Sequence, residues 1–199
     1  MVRILAVNGS PRRKGNTALL LNRAVEGARE SGVLVEEVVL RELKISPCME
    51  IYGCKTSGRC VIQDDFQTVY DQLVACDGFM LASPIFFYTV SALTKIFMDR
   101  CQSLWAKKYL IEKRSFGETN PKRKGLFIAA GATRGKRLFD GTLLTVRYFF
   151  DTLDMEVWRT LLYRGLDLEG DVLKHPEYLE EAYQAGKELA IQLSGRSSM

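Results

Sequence analysis

The alternation of short apolar runs with helical patterns is the feature that most restricts the fold of this chain. Runs rich in Val, Ile and Leu are separated by stretches in which apolar residues return every three or four positions. This alternation is typical of βαβ units, in which a parallel sheet is covered by helices on both faces. We predict five strands, at 3–8, 33–40, 78–83, 125–130 and 155–162.

The helical segments between these strands complete a doubly wound sheet. In the first, 17–31, Leu20, Ala24 and Ala28 stand at helical spacing, and Gly32 follows as a stop. Right-handed crossovers then give an open sheet, for which we predict strand order 2-1-3-4-5, with a ligand above the carboxyl ends of strands one, three and four. The other predicted helices are 65–76, with Asp65 as N-cap, 91–102, 137–153 and 176–193.

Length and composition exclude several classes of protein. A length of 199 residues suits one domain, which we place at 1–199, with a low-complexity tail at 194–199. The single histidine, His175, argues against a Ser-His-Asp hydrolase and a multi-histidine zinc site. No apolar run reaches the roughly 18 residues of a membrane helix, and no signal peptide is recognisable, so we expect a cytoplasmic protein without a membrane partner. A net charge of +4 suits a phosphate-bearing ligand better than nucleic acid.

A candidate phosphate loop directly follows the first strand, at 8–17. A strand, a Gly/Ser turn and a helix N-terminus present backbone N–H groups and the positive end of a helix dipole to an anion. Side chains in the loop add hydroxyl, amide and guanidinium donors; they are Ser10, Arg12, Asn16 and Thr17. Neither the Walker A pattern nor the G-x-G-x-x-G dinucleotide pattern fits the loop. The alternative is a polar connection in which Thr17 only caps the helix.

Two more loops fall at the same predicted edge. After the third strand, 83–89 is apolar and aromatic where solvent-facing residues are expected, which indicates either an apolar ligand or an aromatic cluster covering the core. After the fourth strand, 130–135 is Gly-rich and contains Arg134, so it either stabilises negative charge on a ligand or forms a simple turn.

These motifs together resemble a known family. The loop G-S-P-R-x-x-G-N-T at 9–17, with Ser46-Pro47-Cys48, Asp64-Asp65, the loop from Ser83 and the segment 91–100, is similar to the NAD(P)H-dependent FMN reductase and iron-sulfur flavoprotein family over roughly 1–135. The resemblance implies a flavodoxin-like three-layer α/β/α sandwich with FMN as cofactor, NAD(P)H as co-substrate, and a homodimer or homotetramer. It implies that the loop at 9–17 binds the FMN phosphate. It also implies that a second group packs against the flavin ring, with Phe86 where a Tyr is common; these residues are Pro84, Ile85, Phe86 and Phe87. The turn with Gly131 and Arg134 is a looser match.

Three of the five cysteines form the pattern C-x5-C-x5-C, at Cys48, Cys54 and Cys60. Thiolates that converge from one loop suit a metal or cluster, although a [4Fe-4S] cluster normally needs four. By resemblance to the iron-sulfur members these three match the first, third and fourth ligands, and Ile51 occupies the second position. The alternatives are thiols in a packed loop or a redox-active pair. Cys76 and Cys101 are predicted to be buried thiols on apolar helix faces.

The motifs leave three functions open. The leading hypothesis is an oxidoreductase in which NAD(P)H reduces bound FMN and electrons pass to a quinone, a metal, oxygen or a protein. The second is a flavodoxin-like electron carrier, with or without an iron-sulfur cluster beside the flavin, although such carriers are usually acidic. The third, a nucleotide binder without flavin, leaves the aromatic loop unexplained. A basic and polar insertion at 106–124, expected to be mobile or to contact a partner, favours a self-associating reductase.

Overall fold

A parallel sheet between two layers of helices forms the core of the computed structural model, which describes residues 1–195. The predicted tail at 194–199 therefore lies, beyond Gly195, outside the described residues. The strands are β1 (Arg3–Asn8), β2 (Leu34–Val39), β3 (Gly78–Phe86), β4 (Thr89–Val90), β5 (Lys124–Gly131) and β6 (Glu156–Arg164). The helices are α1 (Asn16–Glu30), α2 (Cys54–Ser57), α3 (Phe66–Ala75), α4 (Ala92–Arg100), α5 (Gln102–Trp105), α6 (Asp140–Thr152) and α7 (Pro176–Leu193).

The strand order is β2-β1-β3-β5-β6, all parallel, which confirms the predicted fold and order. The structure has one strand that was not predicted. This strand, β4, pairs antiparallel with the end of β3. In these terms β5 and β6 are the predicted fourth and fifth strands. The carboxyl ends of the five parallel strands meet at one edge, where a doubly wound sheet binds its ligands.

Successive side chains along each strand pack alternately into two apolar layers, one on each face of the sheet. Leu5 of β1 packs on the side of α3, α4 and α6, and Ile4 packs on the side of α1 and α7. The second side is especially tight, because a Cβ at Gly186 of α7 would lie 1.8 Å from the carbonyl oxygen of Ala24. This alternation explains why the strands read as continuous apolar runs in the sequence.

The third predicted helix is α4, and its N-cap, Ser91, also makes hydrogen bonds at the carboxyl edge of the sheet. Ser91 accepts a hydrogen bond from the N–H of Thr94 at 3.2 Å and donates one to the carbonyl oxygen of Gly9 at 2.7 Å. The N–H of Ser91 in turn donates to Ser83 Oγ at 2.9 Å. The loops after β1 and β3 are thereby held together.

The insertion at 106–124 does not project freely. It starts with a π-helical segment, Ala106–Ile111, and is fastened to the end of α6. Lys108 is buried and donates to Asp151 Oδ2 at 3.0 Å, and the N–H of Gly117 donates to Asp151 Oδ1 at 2.8 Å. The predicted mobility therefore does not fit this segment, because a buried ion pair holds it against the core.

The predicted cap of the second helix needs a smaller correction. Asp65 precedes α3 but makes no side-chain capping bond. The N–H of Phe66 donates to Asp64 Oδ1 instead, at 3.1 Å, and Asp65 accepts from the N–H of Lys44 at 2.7 Å. Among the described residues no helix has the combination of length and apolar character needed to cross a membrane.

Candidate functional site

A cleft of about 200 Å³ opens at the carboxyl edge of the sheet. Its walls are the loop after β1, the carboxyl-terminal residues of β3, the end of β5 with the residue that follows it, and the loop after β6. The lining residues are Ser10, Pro11, Arg12, Gly15, Asn16, Thr17, Pro84, Ile85, Phe86, Ala130, Gly131, Ala132, Leu166 and Asp167. Most of the predicted cofactor-binding residues are thus brought together, from parts of the chain that are far apart in sequence.

The loop after β1 is folded tightly around Ser10. Its buried hydroxyl accepts from the N–H of Arg12 at 3.2 Å and donates to the carbonyl oxygen of Arg12 at 3.0 Å. The turn requires glycine at 15, because a Cβ there would lie 2.4 Å from Ser10 Oγ. Helix α1 begins directly after Gly15, so the loop delivers the helix N-terminus to the cleft.

Helix α1 begins with donors that have no acceptor among the described residues. Within residues 1–195, no hydrogen bond uses the N–H groups of Asn16, Thr17 or Ala18. Thr17 is 1% exposed, and its Oγ1 has no hydrogen-bond partner among the described residues. Such an orphaned buried hydroxyl carries a desolvation penalty unless a ligand bonds to it. Together with the helix dipole, these donors make a site for an anion.

Two side chains that were predicted to bind the phosphate, those of Asn16 and Arg12, already make hydrogen bonds within the protein. The side-chain amide of Asn16 donates to the carbonyl oxygen of Leu168 at 2.9 Å, and its oxygen accepts from the N–H of Val172 at 3.0 Å. Arg12 Nη1 donates to the carbonyl oxygen of Asp167 at 2.9 Å. Asn16 therefore offers the cleft its backbone N–H rather than its side chain, and the guanidinium of Arg12 keeps its remaining donors.

The wall formed by the end of β3 is apolar. Pro84, Ile85 and Phe86 line the cleft, and the chain then turns back as β4. Phe87 and Tyr88 form the tip of this hairpin with positive φ angles of 50° and 62°, which is unusual for bulky residues. Phe87 is fully exposed and, unlike the other three predicted ring residues, is not part of the lining.

The segment at the end of β5 lines the cleft with Gly131 and Ala132, whereas the charged side chain of Arg134 does not line it. Gly131 lines the cleft, and a Cβ there would lie 2.9 Å from Leu138 Cδ2. Arg134 is not in the lining; its guanidinium lies over Gly165, 2.7 Å from where a Cβ on that glycine would stand. The predicted role of Arg134 beside a ligand therefore has no contact in this arrangement to support it.

Sequence reasoning missed the loop after β6. Leu166 and Asp167 close the cleft, and the N–H of Leu166 donates to the carbonyl oxygen of Gly131 at 3.2 Å. Asp171 holds the loop by accepting from the N–H groups of Asp167 and Leu168 at 3.1 and 2.7 Å. Only the position of this loop in the chain could have indicated its role. It follows the last parallel strand and therefore lies at the same edge of the sheet as the other loops of the cleft.

The segment 44–64, called the cysteine loop below, is a separate feature, and its cavity of about 520 Å³ shares no lining residue with the cleft. Cys48, Cys54 and Cys60 all line this cavity. Burial raises the pKa of Cys54, and Cys60 and Cys48 raise it further. Within residues 1–195, however, no three Cys, His, Asp or Glu side chains are arranged so that they could hold a metal ion.

The other two cysteines are buried as predicted, Cys76 at 5% and Cys101 at 1% exposed. Burial raises the pKa of both thiols. Both are therefore packing residues of the core.

The sequence is similar to those of known proteins over most of its length. The family model described as NADPH-dependent FMN reductase matches residues 2–156. An iron-sulfur flavoprotein of Methanocaldococcus jannaschii is 30% identical over 156 residues, which cover 75% of this chain and 71% of that protein. Another from the same organism is 36% identical over 103 residues, 52% of this chain and 53% of that protein. For three such relatives the match spans between 53% and 59% of their length.

Solved structures show the same fold at low sequence identity. A flavone reductase superposes with a TM-score of 0.71 at 19% identity, covering 97% of this chain and 63% of that one. An NAD(P)H:quinone oxidoreductase from Methanothermobacter marburgensis gives a TM-score of 0.69 at 17% identity, covering 94% and 96% of the two chains.

Proposed function

Because the chain belongs to the NADPH-dependent FMN reductase family, we propose that it is an oxidoreductase that binds FMN in the cleft at the carboxyl edge of the sheet. In this proposal NAD(P)H reduces the bound FMN, and the electrons pass on to a quinone, a metal, oxygen or a protein. The predicted homodimer or homotetramer remains a prediction.

The observation that carries the proposal is the unpartnered hydroxyl of Thr17 at the start of α1. Beside it, three backbone N–H groups with no acceptor within residues 1–195 lie at the positive end of a helix of 15 residues. A phosphate group supplies acceptors for all of these donors and the negative charge that the helix dipole favours. Ser10 and Arg12 lie beside them in the same lining.

The rest of the cleft fits the flavin ring. Pro84, Ile85 and Phe86 offer an apolar wall for a flat aromatic system, and Gly131 lines the cleft beside them without a side chain. The cleft is smaller than the roughly 300–1,000 Å³ of pockets that enclose a small molecule, so FMN would be only partly enclosed by it. Bound FMN supplies the hydride chemistry, and the chain holds the phosphate, orients the ring and keeps water from its inner face.

The proposal is tested by spectroscopy on protein purified without oxygen and titrated with FMN. We expect FMN to bind, and NADPH or NADH to bleach the visible band of the bound flavin. Absence of binding at saturating FMN would refute the cofactor assignment. A bound flavin that neither nucleotide reduces would refute the reductase and leave the electron carrier as the better description.

A further inference from the structure

The cysteine loop is closed at its base by a buried arginine. Arg100 is 1% exposed, and its guanidinium donates to the carbonyl oxygens of Ser46 and Ile62, at 2.9 and 3.2 Å, and to Asp64. Asp64 also accepts from the N–H of Ser46 at 2.9 Å. The two ends of the loop are therefore tied together by the protein itself.

Helix α3 fixes the middle of the loop in the same way. Gln67 Nε2 donates to the carbonyl oxygens of Cys60 and Ile62 at 2.9 and 2.7 Å. The hydroxyl of Tyr70 donates to the carbonyl oxygen of Gly58 at 2.9 Å. The backbone around Cys60 is thus positioned by hydrogen bonds from α3.

The cysteine loop contains three thiols, whereas a [4Fe-4S] cluster normally requires four thiolate ligands. A [4Fe-4S] cluster is held by four cysteine thiolates, commonly with three of them spaced as C-x2-C-x2-C. Ile51 stands midway between Cys48 and Cys54, where this spacing places a ligand. Its side chain is 61% exposed and lines the cavity that the three thiols share. Position 51 therefore lines the cavity that the three thiols share, but its isoleucine side chain cannot bind iron.

No other cysteine of the chain replaces the missing ligand. Cys76 and Cys101 are buried in the apolar layer beneath the sheet and line no part of that cavity. Bringing either thiol into the loop would require α3 or α4 to unpack.

We infer that this chain is a cluster-free variant among relatives that are named iron-sulfur flavoproteins, and that the residue at position 51 determines this state. The side chain of Ile51 leaves the cavity with three thiols and no fourth ligand. For the proposed reductase, FMN then passes electrons directly to an acceptor that reaches the cleft. That consequence rests on the proposed function, whereas the cluster content does not.

The experiment compares the full chain with Ile51→Cys and Met49→Cys, each loaded with FMN and treated anaerobically with a ferrous salt and sulfide. Met49 is a matched control because it lines the same cavity and is similarly exposed, at 66%, but has the wrong spacing. The readouts are iron and sulfide per chain after desalting and the electron paramagnetic resonance spectrum after reduction. We expect about four iron and four sulfide only in Ile51→Cys, and no stable cluster in the other two proteins.

Each other outcome overturns the inference. A stable cluster in the unmodified chain shows that three cysteines suffice. No cluster in Ile51→Cys shows that position 51 is not the determinant, and an equal gain in Met49→Cys shows that the spacing is irrelevant. The FMN content of the three proteins reports the proposed cofactor site separately, so its failure is distinguishable from failure of this inference.

Discussion

Thr17 gives the phosphate site its most direct test, because its buried hydroxyl has no partner among the described residues. Thr17→Val keeps the branched shape and removes the donor. A hydrogen bond to a charged group contributes about 1.5–3 kcal/mol, so the Kd for FMN should rise roughly 10- to 100-fold. Riboflavin, which lacks the phosphate, should bind both proteins equally. Quenching of flavin fluorescence measures both constants.

Thr152→Val is the control for this substitution. Thr152 lies in α6, outside the cleft lining, and its hydroxyl donates to the carbonyl oxygen of Tyr148 at 3.0 Å. Its FMN affinity should match that of the unmodified chain. If Thr17→Val binds FMN as tightly as this control does, the phosphate does not lie against Thr17.

Sequence alone identified the donors of the phosphate loop because a strand, a Gly/Ser turn and a helix are contiguous in the chain. It could not show that the side chain of Asn16 is already occupied. The partners of that amide lie 152 and 156 residues away, in a loop without a motif. The contacts of a polar side chain depend on the tertiary fold, whereas the direction of a helix N-terminus depends on local sequence.

At the level of elements, the buried pair between Lys108 and Asp151 should control the stability of the insertion. Hydrogen bonds from Tyr109, Gly117 and Lys108 outweigh burial and lower the pKa of Asp151. A lowered folded-state pKa contributes stability above the unfolded pKa of about 4, and this stability is lost as the pH falls through the folded value. Asp151→Asn removes the counter-charge of buried Lys108, which keeps its hydrogen bond to the main-chain carbonyl oxygen of residue 151 at 2.6 Å, and should cost about 3 kcal/mol at neutral pH. The variant should also lose less stability on acidification.

Asp71→Asn is the comparison for this prediction, because the ion pair of Asp71 with Arg59 is exposed and contributes less than about 1 kcal/mol. Urea unfolding at several pH values measures both variants. Equal losses in the two would show that the insertion is not anchored through Asp151.

The hairpin of β3 and β4 shows why an element was missed. The third strand is predicted to end at Ser83, but in the structure it continues to Phe86. Left-handed two-residue turns are recognised by Gly, Asn or Asp, and here Phe87 and Tyr88 occupy the turn. A tertiary contact accompanies the turn: the hydroxyl of Thr142 in α6 donates to the carbonyl oxygen of Tyr88 at 3.1 Å.

For the whole molecule, the order of the five parallel strands was predictable because right-handed crossovers leave few topologies for alternating strands and helices. The composition of the cleft was less predictable, since its fourth wall comes from the loop after β6. Leu166 and Asp167 lie some 150 residues from the phosphate loop and close the cleft over it. One ligand in the cleft therefore contacts segments from both ends of the chain.

Such a ligand should stabilise the molecule as a unit. FMN at about 100 times its Kd should add about 2.7 kcal/mol to the free energy of unfolding, which for a chain of this length raises the Tm by roughly 5–10 °C. Riboflavin at the same concentration should give a much smaller shift, because it leaves the donors of α1 unpaired. Differential scanning calorimetry measures both. Equal shifts with the two flavins would mean that the ring alone provides the affinity, and the helix N-terminus would then lose its assigned role.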